Sequence, residues 1–190
     1  MEKTPIIILA AGESKRLGYS KQLVHFQGDT LLNNSIKLAC AVSENVTVIL
    51  GANFKNISES ISKQKSINIL KNENWESGMA SSIRLAVEYH QTSEKLLIML
   101  CDQIYLTTSI LNELFEKEKQ TQKPIIACEY GGKFGVPILF NQLIFNDLIK
   151  LTGDKGASSI LPSHKTEIES IPFEKGIFDI DTPADVKKIH

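Results

Sequence analysis

The sequence predicts an α/β fold in which a mostly parallel sheet lies between two layers of helices. Three observations carry this expectation. Short apolar runs alternate with helix-period segments as far as residue 122, the rhythm of repeated strand–helix–strand crossovers. The runs around Ile6 and Leu97 have no polar face, as befits strands buried on both sides of a parallel sheet. The 190 residues, 42% hydrophobic and 23% charged, suffice for one filled core, since a chain of this size buries roughly 70% of its unfolded surface.

Taken in order, Pro5–Leu9 is a continuous apolar run and reads as the first buried strand. Leu31–Val42 follows as a helix with Thr30 as its N-cap. Val46–Leu50 is the second strand, Phe54–Gln64 the second helix and Ile67–Leu70 a short third strand. Met79–Tyr89 is helical, with Met79, Ile83 and Ala86 on one side. Lys95–Leu100 is a fourth strand, and Leu111–Gln120 a charged, solvated helix behind it. Beyond residue 122 the rhythm changes. Ile125–Tyr130 and Phe134–Phe140 flank Gly131-Gly132 as a β-hairpin, expected to form a lobe inserted in the C-terminal half. Gln142–Leu151 reads as a helix, Gly153–Gly156 as a loop, and Thr166–Ile171 and Ile177–Ile180 as short strands. Thr182-Pro183-Ala184-Asp185 combines an N-cap, a proline at N1 and an acid at N3, which starts a terminal helix. No linker or repeat interrupts residues 1–190, so a single domain with halves at 1–122 and 123–190 is expected.

Charge and composition exclude several classes of function. The 21 basic and 22 acidic residues leave a net charge of −1, so there is no global basic field to hold nucleic acid or an anionic membrane. The longest apolar runs, Ile6–Ala11 and Leu96–Cys101, are six residues each, far short of the ~20 that span a bilayer. The first is also too short for a secretory signal. Cys40, Cys101 and Cys128 form no Cys-x-x-Cys pair, and His25, His90, His164 and His190 lack metal-ligand spacing. A cytoplasmic protein without a disulfide framework or zinc site is expected. The basic residues are 19 Lys and two Arg. Arg16 and Arg84 are therefore candidates for forked anion contacts that lysine does not reproduce.

The first strand runs into Leu9-Ala10-Ala11-Gly12-Glu13-Ser14-Lys15-Arg16-Leu17-Gly18-Tyr19-Ser20-Lys21-Gln22-Leu23. Glycine allows close backbone approach, so amide groups can converge on an anion that Lys15, Arg16 and Lys21 would neutralise. Neither Gly-x-x-x-x-Gly-Lys-[Ser/Thr] nor Gly-x-Gly-x-x-Gly occurs, which argues against P-loop and dinucleotide-binding chemistry. A plain basic surface loop is the alternative on these residues alone. Asp102 falls just past the carboxyl end of an apolar strand, where open α/β sheets bind ligands; a turn or N-cap role is its alternative. Asp179 and Asp181, at i and i+2 of an extended strand, would share a face, or else cap the terminal helix.

The pattern Leu-Ala-Ala-Gly-x-Ser-x-Arg-x-Gly-x-x-Lys-x-Leu after an N-terminal strand resembles the signature of the NTP-transferase superfamily. Ser14 and Lys21-Gln22-Leu23 make it similar to the molybdenum cofactor cytidylyltransferase branch. Four later segments follow in the family's order: Asn74–Ile83, Cys101-Asp102-Gln103, Gly153–Ala157 and Asp179–Asp185. One departure is Ile104, where a proline commonly follows the Asp-Gln pair.

The resemblance implies a Rossmann-like three-layer α/β/α nucleotidyltransferase fold, with residues 1–122 as the nucleotide-binding half and 123–190 as the acceptor-side half. It implies transfer of CMP from CTP to molybdopterin-bound molybdenum cofactor, with Mg²⁺ as cofactor and pyrophosphate as product. It assigns Leu9, Ala10, Ala11, Gly12, Arg16, Lys21, Gly78 and Ser82 to the nucleotide. Arg16, Lys21 and Asp102 become the catalytic residues, and Asp102 and Asp181 the metal ligands, with Asp179 as an alternative to the latter. Gly153, Asp154, Lys155 and Gly156 would take the acceptor, while Trp75 is expected to pack beside the loop. A molybdoenzyme or its chaperone is a further implied partner. Two other functions fit the same residues: transfer to a phosphorylated sugar or polyol, and non-catalytic escort of nucleotide or cofactor. Lys21, Asp102 and Asp181 disfavour the escort, which has no need of a metal pair.

Overall fold

The computed structural model describes residues 3–62 and 67–189. Strand β1 (Ile6–Ala10) is buried at every position. A short antiparallel ribbon of β2 (His25–Phe26) and β3 (Asp29–Thr30) leads into helix α1 (Leu31–Cys40). Next come β4 (Val46–Leu50), also buried throughout, α2 (Phe54–Ser60), β5 (Ile67–Lys71), α3 (Met79–Tyr89) and β6 (Lys95–Leu100). Then α4 (Thr108–Thr121) precedes β7 (Ile125–Tyr130) and β8 (Lys133–Asn141). The chain closes with α5 (Phe145–Ile149), β9 (Ile168–Pro172) and α6 (Pro183–Lys188).

Seven strands form one sheet in the order β5-β4-β1-β6-β8-β7-β9. Neighbours are parallel except the two pairs made by β8. Strand side chains point alternately to the two faces. Ile6, Ile8, Val48 and Leu97 therefore pack with α1, α2 and α4, while Ile7, Leu9, Ile49 and Ile98 pack with α3 and α5. Each such buried side chain stabilises the fold by about 1.5–3 kcal/mol. The result is the expected Rossmann-like three-layer arrangement. The carboxyl ends of β4, β1 and β6 lie side by side, with Ala10 opposite Leu50 and Leu9 opposite Leu100. The loops that follow them converge on one edge of the sheet, where the site forms. Among the described residues no helix is long and apolar enough to cross a membrane.

A satellite cluster brings the end of the chain to that edge. Leu17 of the first loop, Val24, Leu31 and Ile180 bury one another, with Phe26, Ile104 and Val186 against them. Caps behave as expected: Thr30 accepts from the Asn33 amide, and Thr182 forms a capping box with Asp185. Capping of α6 thus does not require Asp179 or Asp181.

Some elements differ from expectation. The hairpin is not a separate lobe: β8 inserts between β6 and β7, because Ile138, Leu139 and Phe140 need burial on both faces. The helix expected at Gln142–Leu151 is a 3₁₀ turn (Gln142–Ile144) followed by α5, since Leu143 is left in solvent. Helix α2 ends at Ser60, where the Asn33 side chain donates to the Ser60 carbonyl and accepts from the Ser62 amide. Gln64, its expected end, lies outside the described residues. Helix α4, capped by Thr107, begins three residues ahead of the expected start. No strand forms at Ile177–Ile180. Gly176 is pressed against Tyr130 and Phe173 in a 3₁₀ turn (Glu174–Ile177) that turns the chain off the sheet edge, leaving Ile177 and Phe178 exposed. The β2–β3 ribbon and a 3₁₀ segment at Ala157–Ser163 were not anticipated.

Candidate active site

Two cavities open beyond the carboxyl ends of β1 and β6. One, about 530 Å³, is lined by Ala11, Trp75, Gly78, Ser82 and Asp154. The other, about 430 Å³, is lined by Ala10, Arg16, Lys21, Asp102, Asp179 and Asp181. Leu9, Gly12, Lys15, Met79 and Leu100 line both, so the two are halves of one cleft.

The basic loop is held against the sheet from beneath. Gln22, almost wholly buried, donates to the carbonyls of Ala10 (2.7 Å) and Gly12 (3.0 Å). The Lys21 amide donates to Ser14 Oγ at 3.1 Å, and the Ser14 carbonyl accepts from the amides of Leu17 and Gly18. These bonds fix the backbone of Lys21 at the mouth of the charged half. A Cβ at Gly12 would meet open space, so the backbone there faces the cleft unobstructed.

In the charged half Lys21 Nζ donates to Asp102 Oδ2 at 2.7 Å and to Asp181 Oδ1 at 2.6 Å. Arg16 Nη2 donates to Asp181 Oδ2 at 2.6 Å. Burial alone would lower the Lys21 pKa, but Asp102 and Asp181 outweigh it and hold the ammonium well above the usual lysine range. Burial likewise tends to raise Asp181, yet Lys21 and Arg16 prevail and keep its carboxyl below the usual value. Asp179 sits on the exposed rim. Partial desolvation, and then the like charges of Asp102 and Asp181, push its carboxyl up to about 7. Asp102 is 7% exposed, and its Oδ1 has no hydrogen-bond partner among the described residues. Such an unmatched buried oxygen costs about 1–3 kcal/mol, which a cation would relieve. Two carboxylates converging on one point are the donor set that Mg²⁺ takes together with substrate phosphates. The residues fit a divalent cation.

In the other half, Gly78 adopts φ 98° and ψ 176°, and a Cβ there would lie 2.3 Å from the Gly153 carbonyl carbon. The Gly153 carbonyl accepts from the Ala80 amide at 3.1 Å, so the Gly153–Gly156 loop is pressed onto the start of α3 and Asp154 enters the cleft. Lys155 instead lines a separate depression with Asp147 and Lys150. Ser82 Oγ accepts from Asn72 Nδ2 at 2.9 Å. Trp75 packs over Gly51 and lines this half.

The cleft thus brings together Leu9, Ala10, Ala11, Gly12, Arg16, Lys21, Gly78, Ser82, Asp102, Asp154 and Asp181. Arg84 is elsewhere: it donates to the Leu151 carbonyl, tying α3 to the end of α5. Asn72 and Gln22 were missed as supports. Gln22 had a signal, being a polar residue beside Leu23 and Val24 that turns out almost wholly buried. Burial and the neighbouring Asp102 push the Cys101 thiol up to about 12, in keeping with a small hydrophobe.

Residues 6–168 match the MobA-like NTP transferase domain. The chain belongs to this family. It is a nucleotidyltransferase. This MobA-like protein is 28% identical to the molybdenum cofactor cytidylyltransferase of Escherichia coli K12 over 188 residues, 97% of this chain and 94% of that protein. A crystal structure of the Mycobacterium sp. strain JC1 homologue of Mycobacterium tuberculosis Rv0371c matches with a TM-score of 0.83 at 27% identity, covering 97% of this chain and 93% of that one. Rv0371c itself, solved in complex with manganese, shares the fold with a TM-score of 0.82 at 22% identity, covering 99% and 98% of the two chains.

Proposed function

We propose that this MobA-like protein is a Mg²⁺-dependent cytidylyltransferase, joining CMP from CTP to molybdopterin-bound molybdenum cofactor and releasing pyrophosphate. The observation that carries this reading is the two-part cleft. One half is lined by Ala11, Gly78, Ser82 and Trp75, with Glu13, Glu76 and Asp154 among them; the other gathers Arg16 and Lys21 with Asp102, Asp179 and Asp181. Its division suits a nucleotide whose base and ribose need shape and whose triphosphate needs charge. The Escherichia coli relative, covering 97% of this chain, supports cytidine and the molybdenum cofactor over other substrates.

Nucleotidyl transfer requires a phosphate oxygen of the acceptor to attack the α-phosphorus of CTP while pyrophosphate leaves on the opposite side. Both reactants are anions, so positioning and charge neutralisation supply most of the rate. Gly12, Arg16 and Lys21 hold the triphosphate, while Leu9, Ala10, Ala11, Gly78 and Ser82 enclose base and ribose. Asp102 and Asp181 hold Mg²⁺, which when bound neutralises phosphate charge. The acceptor enters the charged half past Asp179, while the Gly153–Gly156 loop borders the adjoining half through Asp154 and its Lys155 lies in a separate depression. The product then passes in the cytoplasm to a molybdoenzyme or its chaperone.

A pyrophosphate-release screen tests the reading, pairing four NTPs with molybdopterin, molybdenum cofactor and a panel of sugar and polyol phosphates. Release should require CTP and a molybdopterin-type acceptor. Preference for GTP, or release with a sugar or polyol phosphate alone, refutes the substrate assignment. Tight nucleotide binding without release from any pair points to the escort instead.

A further inference from the structure

We propose that Lys21 is the resident cation of the Asp102–Asp181 pair in the ligand-free protein, and that a divalent cation is admitted only when its ammonium swings away. This rests on the reading of those two aspartates as the cation site.

Of the four carboxylate oxygens, three already face a side-chain cation. Lys21 bridges Asp102 Oδ2 and Asp181 Oδ1, and Arg16 takes Asp181 Oδ2. Among the described residues Asp102 Oδ1 is the unpartnered one. An ion bound by both residues must therefore share an Asp181 oxygen with a side-chain cation or displace that cation. Lys21 is the one that spans the pair, and it is enclosed: its side chain is 17% exposed, against 72% for Arg16. A divalent ion beside a retained ammonium would also add like charge to a poorly solvated space, which is unfavourable.

The departure is sterically simple. The Lys21 backbone is pinned through Ser14, and Gln22 anchors the next residue, so the flexible four-carbon stem is the part that moves. The charged half of the cleft lies directly before it. A triphosphate there offers the ammonium new acceptors, and the vacated carboxylates then accept the ion. Nucleotide and metal thus bind as linked events, and the free protein discriminates against metal alone. In such an equilibrium the apparent affinity is the intrinsic one reduced by the fraction of molecules already in the binding-competent state.

The test uses the full chain and Mn²⁺ alone, with free Mn²⁺ followed by electron paramagnetic resonance. Lys21→Met should bind Mn²⁺ at least about tenfold more tightly than wild type, corresponding to a competent fraction of about a tenth or less. Arg16→Met also strips one positive charge from Asp181 but leaves the bridge, and its gain should be clearly smaller. No gain in Lys21→Met, or equal gains in both variants, overturns the proposal. If Lys21→Met does not fold, wild type decides the matter through acetylation read by mass spectrometry. Lys21 should react far more slowly than Lys15, whose side chain is 82% exposed, and millimolar Mn²⁺ should raise the Lys21 rate selectively. Ready acetylation of Lys21 without metal, or no response to Mn²⁺, overturns it as well. Because no nucleotide is present, these outcomes are independent of the pyrophosphate screen.

Discussion

Replacing Gly78 with alanine joins backbone strain to a collision within the cleft. At φ 98° and ψ 176° the backbone occupies a region open essentially to glycine, and a side chain there costs about 1–3 kcal/mol. The new Cβ would also stand 2.3 Å from the Gly153 carbonyl carbon, 2.4 Å from its oxygen and 2.7 Å from the Asp154 nitrogen. All three are backbone atoms, so no side chain can rotate to make room. Ordinary contact begins near 3.4 Å, so the loop must retreat by about 1.1 Å. That retreat breaks the bond from the Ala80 amide to the Gly153 carbonyl, worth about 1 kcal/mol. The total destabilisation is about 2–4 kcal/mol. For a domain of this size that lowers Tm by roughly 5–15 °C. Asp154 shifts with the loop, and a misplacement of about 1 Å can cost 10²-fold in rate. Thermal unfolding and kcat/KM for pyrophosphate release from CTP are the measurements. A Gly78→Ala protein with unaltered Tm and unaltered kcat/KM would show that the loop is not pressed on Gly78 as described.

Gly12→Ala offers the contrast: its Cβ enters open space, so Tm should hold while kcat/KM for CTP falls. Asp102→Ala should abolish pyrophosphate release yet still unfold cooperatively; turnover of about a tenth of wild type or more would remove Asp102 from the mechanism. Ala11 lines the half of the cleft proposed for the base, where its methyl would narrow the slot for a two-ring base. Ala11→Gly should therefore narrow the CTP-over-GTP preference in kcat/KM without reversing it, by about 10–200-fold at most for one methyl group. The bonds from Lys37, Asn33 and the Thr30 amide lower the Asp29 carboxyl from 3.8 to about 2. Because the folded value lies below the unfolded one, this stabilisation is present above 3.8 and lost as pH falls through about 2. Asp29→Asn should therefore lower Tm most at neutral pH, with the gap to wild type closing towards pH 2.

What could be read from the sequence was what local chemistry decides. Strands β1, β4 and β6 were legible because runs such as Ile6–Ala10 have no residue that tolerates water, and the caps Thr30 and Thr182 act within three residues of themselves. Asp102 was legible by its place, two residues beyond an apolar strand leading to the ligand edge. Arginine scarcity was a weaker guide. It picked out Arg16, which lines the cleft, and equally Arg84, which ties α3 to a backbone carbonyl, because rarity carries no information about where a side chain points. The route of Asp181 into the site was illegible for a physical reason. The shared face of an extended strand, from which it was argued, does not exist, since Gly176 turns the chain away from the sheet. Asp181 arrives because Ile180 beside it is buried among Leu17, Val24 and Leu31, a cluster gathered from opposite ends of the chain. Lys21 then meets carboxylates 81 and 160 residues distant. A lysine in a basic loop reads as a phosphate ligand. Only the folded chain adds a second anionic partner, and the competition between the two underlies the proposed role of the residue as a gate as well as a contact.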